Sequence, residues 1–168
     1  MKEEKILQQT LVLIKPDGVQ RGLIGEIIKR FEQRGFKIVG LKMIEIDNDM
    51  AKRHYTEDIT KRRGEEVRKM LIDYVTSGPI VAMIIQGVNA IENVRKIVGS
   101  TESKEAAVGT IRGDFSHVSY KYADAKKIPV RNLIHASSNE EDAKNELALW
   151  FSIEEVHDYK FNAEDNLY

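Results

Sequence analysis

The chain has no cysteine among its 168 residues, which excludes disulfides, thiolate nucleophiles and thiolate metal sites. Proline is scarce, with Pro16, Pro79 and Pro129 the only three. No apolar run can span a bilayer, since the longest unbroken one is Ile80–Ile85. The opening MKEEKILQQT is charged and polar where a secretory signal needs an apolar centre. The expected address is therefore cytoplasmic, with no membrane partner. An excess of either charge is missing too: 26 Lys+Arg against 27 Asp+Glu leave a net charge of -1. That balance gives no footprint for a nucleic-acid partner, although balanced totals can hide a basic cleft. No internal repeat is visible, and KPDGVQRG at Lys15–Gly22 is not the GxxxxGK[ST] of a P-loop.

What is present describes an ordinary globular protein, 42% hydrophobic and 32% charged. Its length predicts a single domain over residues 1–168 with a sizeable core. Residues 1–8 read as a loose lead-in. Thr10–Ile14 is a β-branched, apolar strand that stops at Lys15-Pro16-Asp17-Gly18, a strong turn sequence. Ile24, Ile27, Ile28 and Phe31 form a helical stripe that Gly35 closes. Phe36–Ile46 predicts a strand with one wet face, because Lys37, Lys42 and Glu45 interrupt it. Asn48–Tyr55 predicts a short helix capped by Asn48 or Asp49, and the charged Thr56–Glu66 a solvated loop.

Val67, Leu71, Tyr74 and Val75 stripe a further helix that ends at Ser77-Gly78-Pro79. Ile80–Ile85, apolar on both faces, predicts a central strand. Asn89 is placed to cap a helix burying Ile91, Val94 and Val98 and stopping at Gly99. Ser100–Phe115 is a long segment rich in Gly, Thr and Ser, of the kind that carries function. The Tyr- and Lys-rich Ser116–Pro129 follows, in a form the pattern leaves open, and residues 160–168 make a polar tail. This alternation suits an α+β sheet or a doubly wound parallel sheet, and periodicity does not choose between them.

Val130–Glu141 (VRNLIHASSNEE) concentrates the chemistry. Val130, Leu133 and Ile134 favour a strand, and Ser138 with Glu141 has the spacing of a capping box. His135 thus falls where a strand hands over to a helix N-terminus, a place that favours anions. A histidine there can receive a phosphoryl group; the plainer reading is a packed or surface histidine. Imidazole suits the first role because its neutral form is well populated near its ordinary pKa of about 6.5. Glu146 lies about two turns into the following helix, within reach of the ring. Lys15 closes a strand before a turn, and Arg112 sits between Gly109 and Gly113, which let backbone approach a phosphate. Each of these alone is ordinarily a surface charge.

KPDG at Lys15–Gly18, EIIKRFEQRGF at Glu26–Phe36, SGP at Ser77–Pro79, GTIRGDF at Gly109–Phe115 and NxxHxS at Asn132–Ser137 occur in this order. Together they resemble nucleoside diphosphate kinase from about Gln9 to about Tyr159. The resemblance implies an α+β ferredoxin-like sandwich, a four-stranded antiparallel sheet with helices packed on it. It implies ping-pong transfer of the terminal phosphoryl of a nucleoside triphosphate to a diphosphate, through a phosphohistidine on His135. Glu146 would orient the ring with Ser137 beside it, and Tyr55 would lie near the histidine. Lys15, Arg95, Thr101 and Arg112 match phosphate ligands, and Asn132 matches a side chain reaching the sugar. Mg2+ would arrive with the nucleotide phosphates, with no dedicated protein metal site. A homo-oligomer is implied, a hexamer before a tetramer. The alternatives are a non-enzymatic nucleotide- or nucleic-acid-binding relative and a phosphocarrier. Asp17 and Arg21 read as structural, and His54, His117 and His157 lack partners at ligand spacing.

Three places depart from the family pattern. The phenylalanine that stacks on the base is replaced by Val67, and Thr56–Glu66 is longer than usual. Ser116–Pro129 is longer too, beside the expected nucleotide entrance. The aspartate before the helix acids is Ser138, which still serves as a cap. With Ser116–Pro129 taken as a solvated loop, the base site is expected to be weak at Val67. Alternatively, that segment folds over the entrance and supplies Tyr120 or Tyr122.

Overall fold

The computed structural model describes residues 6–162 and 164–167. From the N-terminus, β1 (Leu7–Ile14) leads into α1 (Pro16–Gln20) and α2 (Ile24–Glu32). β2 (Lys37–Ile44) is followed by α3 (Asn48–His54), α4 (Glu57–Arg63) and α5 (Glu65–Val75). β3 (Ile80–Val88) precedes α6 (Ala90–Val98), α7 (Ile111–Phe115) and α8 (Tyr120–Lys126). β4 (Ile134–Ala136), α9 (Glu140–Trp150) and α10 (Glu164–Leu167) complete the order. The strands form one sheet, ordered β2-β3-β1-β4, with every pairing antiparallel. This is the α+β ferredoxin-like sandwich and not the parallel sheet.

Two-residue alternation distributes the central strands between two apolar layers. Val12, Ile14, Met83 and Ile85 face α2 and α6, where Phe31 and Val94 fill the space. Leu11, Leu13, Ala82 and Ile84 face the other side, against Ile72, Val75 and Trp150. β1 and β3 are therefore buried on both faces and read as continuous apolar runs.

Several local expectations give way to the structure. Lys15–Gly18 is not a simple turn: Pro16 opens α1, its fixed φ and missing N–H suiting the first helical position. Leu7 and Gln8 belong to β1 rather than to a loose lead-in, whose residues 1–5 lie outside the described residues. Asp47, not Asn48 or Asp49, caps α3 by accepting from the Met50 N–H at 2.8 Å. Asn89 stands at the N-cap of α6 in a left-handed conformation, but its side chain makes no capping bond. Gln8 Oε1 accepts from the Ile91 N–H there instead, at 3.3 Å.

The segment expected as a solvated loop is α4. Its acids Glu57 and Asp58 lie in the first turn and Lys61, Arg62 and Arg63 in the last, which complements the helix dipole. Ser116–Pro129 likewise contains α8, capped by Ser119 through the Tyr122 N–H at 3.2 Å. The strand β4 is shorter than its composition suggests and holds His135 at its centre, and α9 is capped by Asn139, which accepts from the Asp142 N–H at 2.8 Å. Ser138 is exposed and outside the helix, so the Ser138–Glu141 capping box does not form.

The edge strand β2 also differs. Lys37 is buried, its ammonium 3.1 Å from Asp158 and over the Tyr159 ring, so the segment after α9 packs back along this strand. The wet face of β2 instead carries Leu41 and Met43, 55% and 58% exposed.

Candidate active site

The pairing of β1 with β4 sets Leu13 opposite His135 and carries Lys15 to the same end of the sheet. The Lys15 N–H donates to the Leu133 carbonyl at 2.8 Å, which fixes this junction. His135 points toward the layer of α3 and α9. From α9, Glu146 meets His135 Nε2 with its two carboxylate oxygens at 3.0 and 2.9 Å. The Ser137 hydroxyl donates to Glu146 Oε2 at 2.6 Å while accepting from the Leu11 N–H at 3.3 Å. Burial alone would raise the Glu146 pKa, but the bonds from His135 and Ser137 hold it below the ordinary value. An ionised Glu146 accepts the proton of His135 Nε2, which leaves the lone pair of the neutral ring on Nδ1.

His54, which has no partner at ligand spacing in the sequence, belongs to this cluster. Its ring stands edge-on to His135 with centroids 4.7 Å apart. Trp150 Nε1–H donates to His54 Nδ1 at 3.2 Å, which places the His54 proton on Nε2. That nitrogen is buried without a partner among the described residues. Burial, and then the neighbouring His135, lower the His54 pKa to about 3, so the ring is neutral at physiological pH. Its partners come from α9 and β4, far away along the chain, and only the fold reveals them.

Lys15 and Arg112 supply positive charge beside the histidine. Lys15 is buried, and its ammonium donates to Asn132 Oδ1 at 2.8 Å. Burial and the nearby Arg112 lower its pKa to about 7, against a partial offset from Asp17. Arg112 donates to the carbonyls of Asn132, Gly99 and Ile134 at 3.3, 3.0 and 2.6 Å. Three of its five N–H groups are thus committed to backbone, and the other two remain available to an anion in the cavity it lines. Burial lowers its pKa to about 10, and it remains cationic. The short helix α7 that carries it packs tightly: a Cβ on Gly113 would lie 2.0 Å from the Ala107 carbonyl oxygen.

Asn132 Nδ2 donates to the Thr101 carbonyl at 2.8 Å, tying together the segments before α7 and before β4. Asp17 and Arg21 are structural as expected. Asp17 accepts from the Tyr74 hydroxyl and from the Leu133 N–H, and Arg21 donates to the Phe115 carbonyl at 2.7 Å.

A cavity of about 630 Å³ gathers every expected site residue except Ser137, which stands behind Glu146. Lys15, Arg112, Asn132 and His135 line it with Tyr55, Arg95 and Thr101, while Val67 lines it from α5. Tyr120 of α8 lines it too, whereas Tyr122 is 55% exposed and does not.

A family model described as nucleoside diphosphate kinase matches residues 8–156. The chain belongs to the nucleoside diphosphate kinase family. It is 47% identical over 156 residues to a nucleoside diphosphate kinase of Borreliella burgdorferi, covering 92% of this chain and 93% of that protein. A solved transition-state mimic of the Borrelia burgdorferi enzyme, with bound vanadate and ADP, superposes with a TM-score of 0.94 at 46% identity. That superposition covers 96% of this chain and 97% of the other. A halophilic nucleoside diphosphate kinase from Halobacterium salinarum in complex with CDP gives a TM-score of 0.82 at 37% identity, covering 96% and 99%. Members of this kinase family are phosphotransferases, and the histidine–glutamate pair in the cavity suits that chemistry.

Proposed function

We propose that the chain exchanges the terminal phosphoryl group between nucleoside tri- and diphosphates through His135. The carrying observation is the clamp of Glu146 on His135 Nε2, which leaves Nδ1 as the nucleophilic nitrogen. The Nδ1 lone pair attacks the γ-phosphorus. A bond forms from nitrogen to phosphorus, the bond to the β,γ-bridging oxygen breaks, and its electron pair leaves with the nucleoside diphosphate. Glu146 retains the Nε2 proton and stabilises the positive charge that grows on the ring. Lys15 and Arg112 offset the charge on the phosphates, since phosphoryl transfer depends chiefly on positioning and electrostatics. A second diphosphate reverses the steps.

The assay is exchange from ATP to several nucleoside diphosphates, with the intermediate trapped as an acid-labile, alkali-stable phosphoryl label. Glu146→Gln keeps a hydrogen-bonding group but removes the charge. It should lower kcat on the order of tenfold to a hundredfold, as loss of a group that orients a reacting ligand does, while the label still forms. An unchanged kcat would remove Glu146 from this role.

Mg2+ comes with the substrate. The cluster of His54, His135 and Glu146 offers two nitrogens and one carboxylate, not the oxygen set that magnesium takes, so the phosphates hold the ion. The protein works in the cytoplasm among soluble nucleotides; no described helix is long and apolar enough to cross a membrane. We also assign it a homo-oligomeric state, a hexamer first, supported by the apolar Leu41 and Met43 on an exposed edge strand. Light scattering should give a multiple of 19.2 kDa at micromolar concentration; a monomer there would refute it.

A further inference from the structure

The cavity is lined by residues of two kinds. Lys15, Arg112 and His135 are its cationic and reactive members. Ile59 and Val67 are apolar and carry no ring. A nucleotide whose phosphates meet the first set leaves its flat base to find contacts elsewhere on that lining.

Two segments meet there. Arg63, the last residue of α4, lies with its guanidinium 4.4 Å from the centre of the Tyr120 ring, the first residue of α8. Both residues line the cavity. Tyr120 is well placed: its N–H donates to Glu102 Oε1 at 2.9 Å, and Ala123, one turn on, is buried. α4 is held differently. It has no buried residue, and Arg63 itself is exposed. The pair thus joins a fixed aromatic face to a guanidinium on a lightly held helix. Such a guanidinium can leave the ring face at small cost.

We propose that Arg63 and Tyr120 hold the nucleobase. The base stacks on the Tyr120 face that Arg63 covers here, and the guanidinium shifts outward to lie over the base. This rests on the nucleotide-exchange reading of the site and adds the base contacts that Val67 cannot provide. Stacking uses the π-face common to all bases, so the pair serves any nucleoside diphosphate without selecting one.

The test measures binding of ADP and of ribose 5-diphosphate, which keeps the sugar and phosphates and lacks the base. Tyr120→Ala should weaken ADP about tenfold or more, the scale of one lost base–aromatic stack. Tyr120→Phe should bind ADP as the parent does. Arg63→Ala should weaken ADP by a smaller factor, roughly threefold to tenfold. Ribose 5-diphosphate should bind all variants within about twofold of the parent. The proposal is overturned if Tyr120→Ala keeps its ADP affinity, or if it loses affinity equally for ribose 5-diphosphate. A parent protein that ATP labels on His135, beside an unchanged Tyr120→Ala, would reject the base pair alone. A parent that neither binds ADP nor takes up label would reject the exchange reading itself. Circular dichroism of each variant separates loss of contact from loss of fold.

Discussion

His135→Ala should abolish both phosphoenzyme formation and nucleotide exchange while the protein stays folded. No neighbour can replace the lost nitrogen. His54 has its Nδ1 lone pair engaged by the Trp150 indole, and its other nitrogen carries the proton. Ser137 is fully buried and its hydroxyl donates to Glu146, so it faces away from an incoming phosphate. With the nucleophile removed, exchange should fall by roughly 10⁴-fold or more, since groups that act as a unit fail together. Stability should change far less. The His135 side chain is 21% exposed, and the Glu146 carboxylate keeps its bond from Ser137 when the imidazole goes. The check is labelling with ATP and magnesium, split between acid and alkali quenches, beside a thermal melt of the same variant. An acid-stable label in the parent, or retained turnover in the alanine variant, would end the phosphohistidine mechanism.

The residues of this site were legible where chemistry and order coincided. Lys15, Arg112, Asn132 and His135 stand in short motifs, and the fold brings all four to one cavity. What the sequence hid were relations across the chain. His54 owes its place to Trp150 and His135, on two distant elements, and no spacing announces either partner. The N-cap of α9 slipped from Ser138 to Asn139 because both residue types cap helices well, and local pattern does not separate neighbours.

The segment over 56–66 hides its helix for another reason. Its polarity suggested a loop, yet acids at one end and bases at the other are a helix signal that needs no apolar stripe. In the same way, α8 has one buried residue, Ala123, and offers too little apolar periodicity to detect. The antiparallel sheet could not be told from a parallel one because β1 and β3, covered on both faces, look alike in either arrangement.

Lys15→Met should lower kcat on the order of a hundredfold to a thousandfold, the usual loss when one donor to developing transition-state charge is removed. The methionine stem fills much of the same buried volume and leaves Asn132 with its bond to the Thr101 carbonyl. The effect should therefore be on charge and not on shape. pH provides the discriminating measurement. In the empty site burial holds the Lys15 pKa at about 7, against an ordinary 10.5. Between these values the unfolded chain binds the extra proton, so the empty protein should gain stability as pH rises through that window. Nucleotide phosphates reverse the preference, because their negative charge favours the ammonium form. ADP should then bind with uptake of a proton above pH 7, and its affinity should fall as pH rises, by at most about tenfold per pH unit. Calorimetry in buffers of different ionisation enthalpy reads the proton directly. Lys15→Met should lose both the proton uptake and the rise in stability. If the methionine variant keeps the same proton uptake, another group carries the titration and Lys15 is not the cation that meets the phosphates.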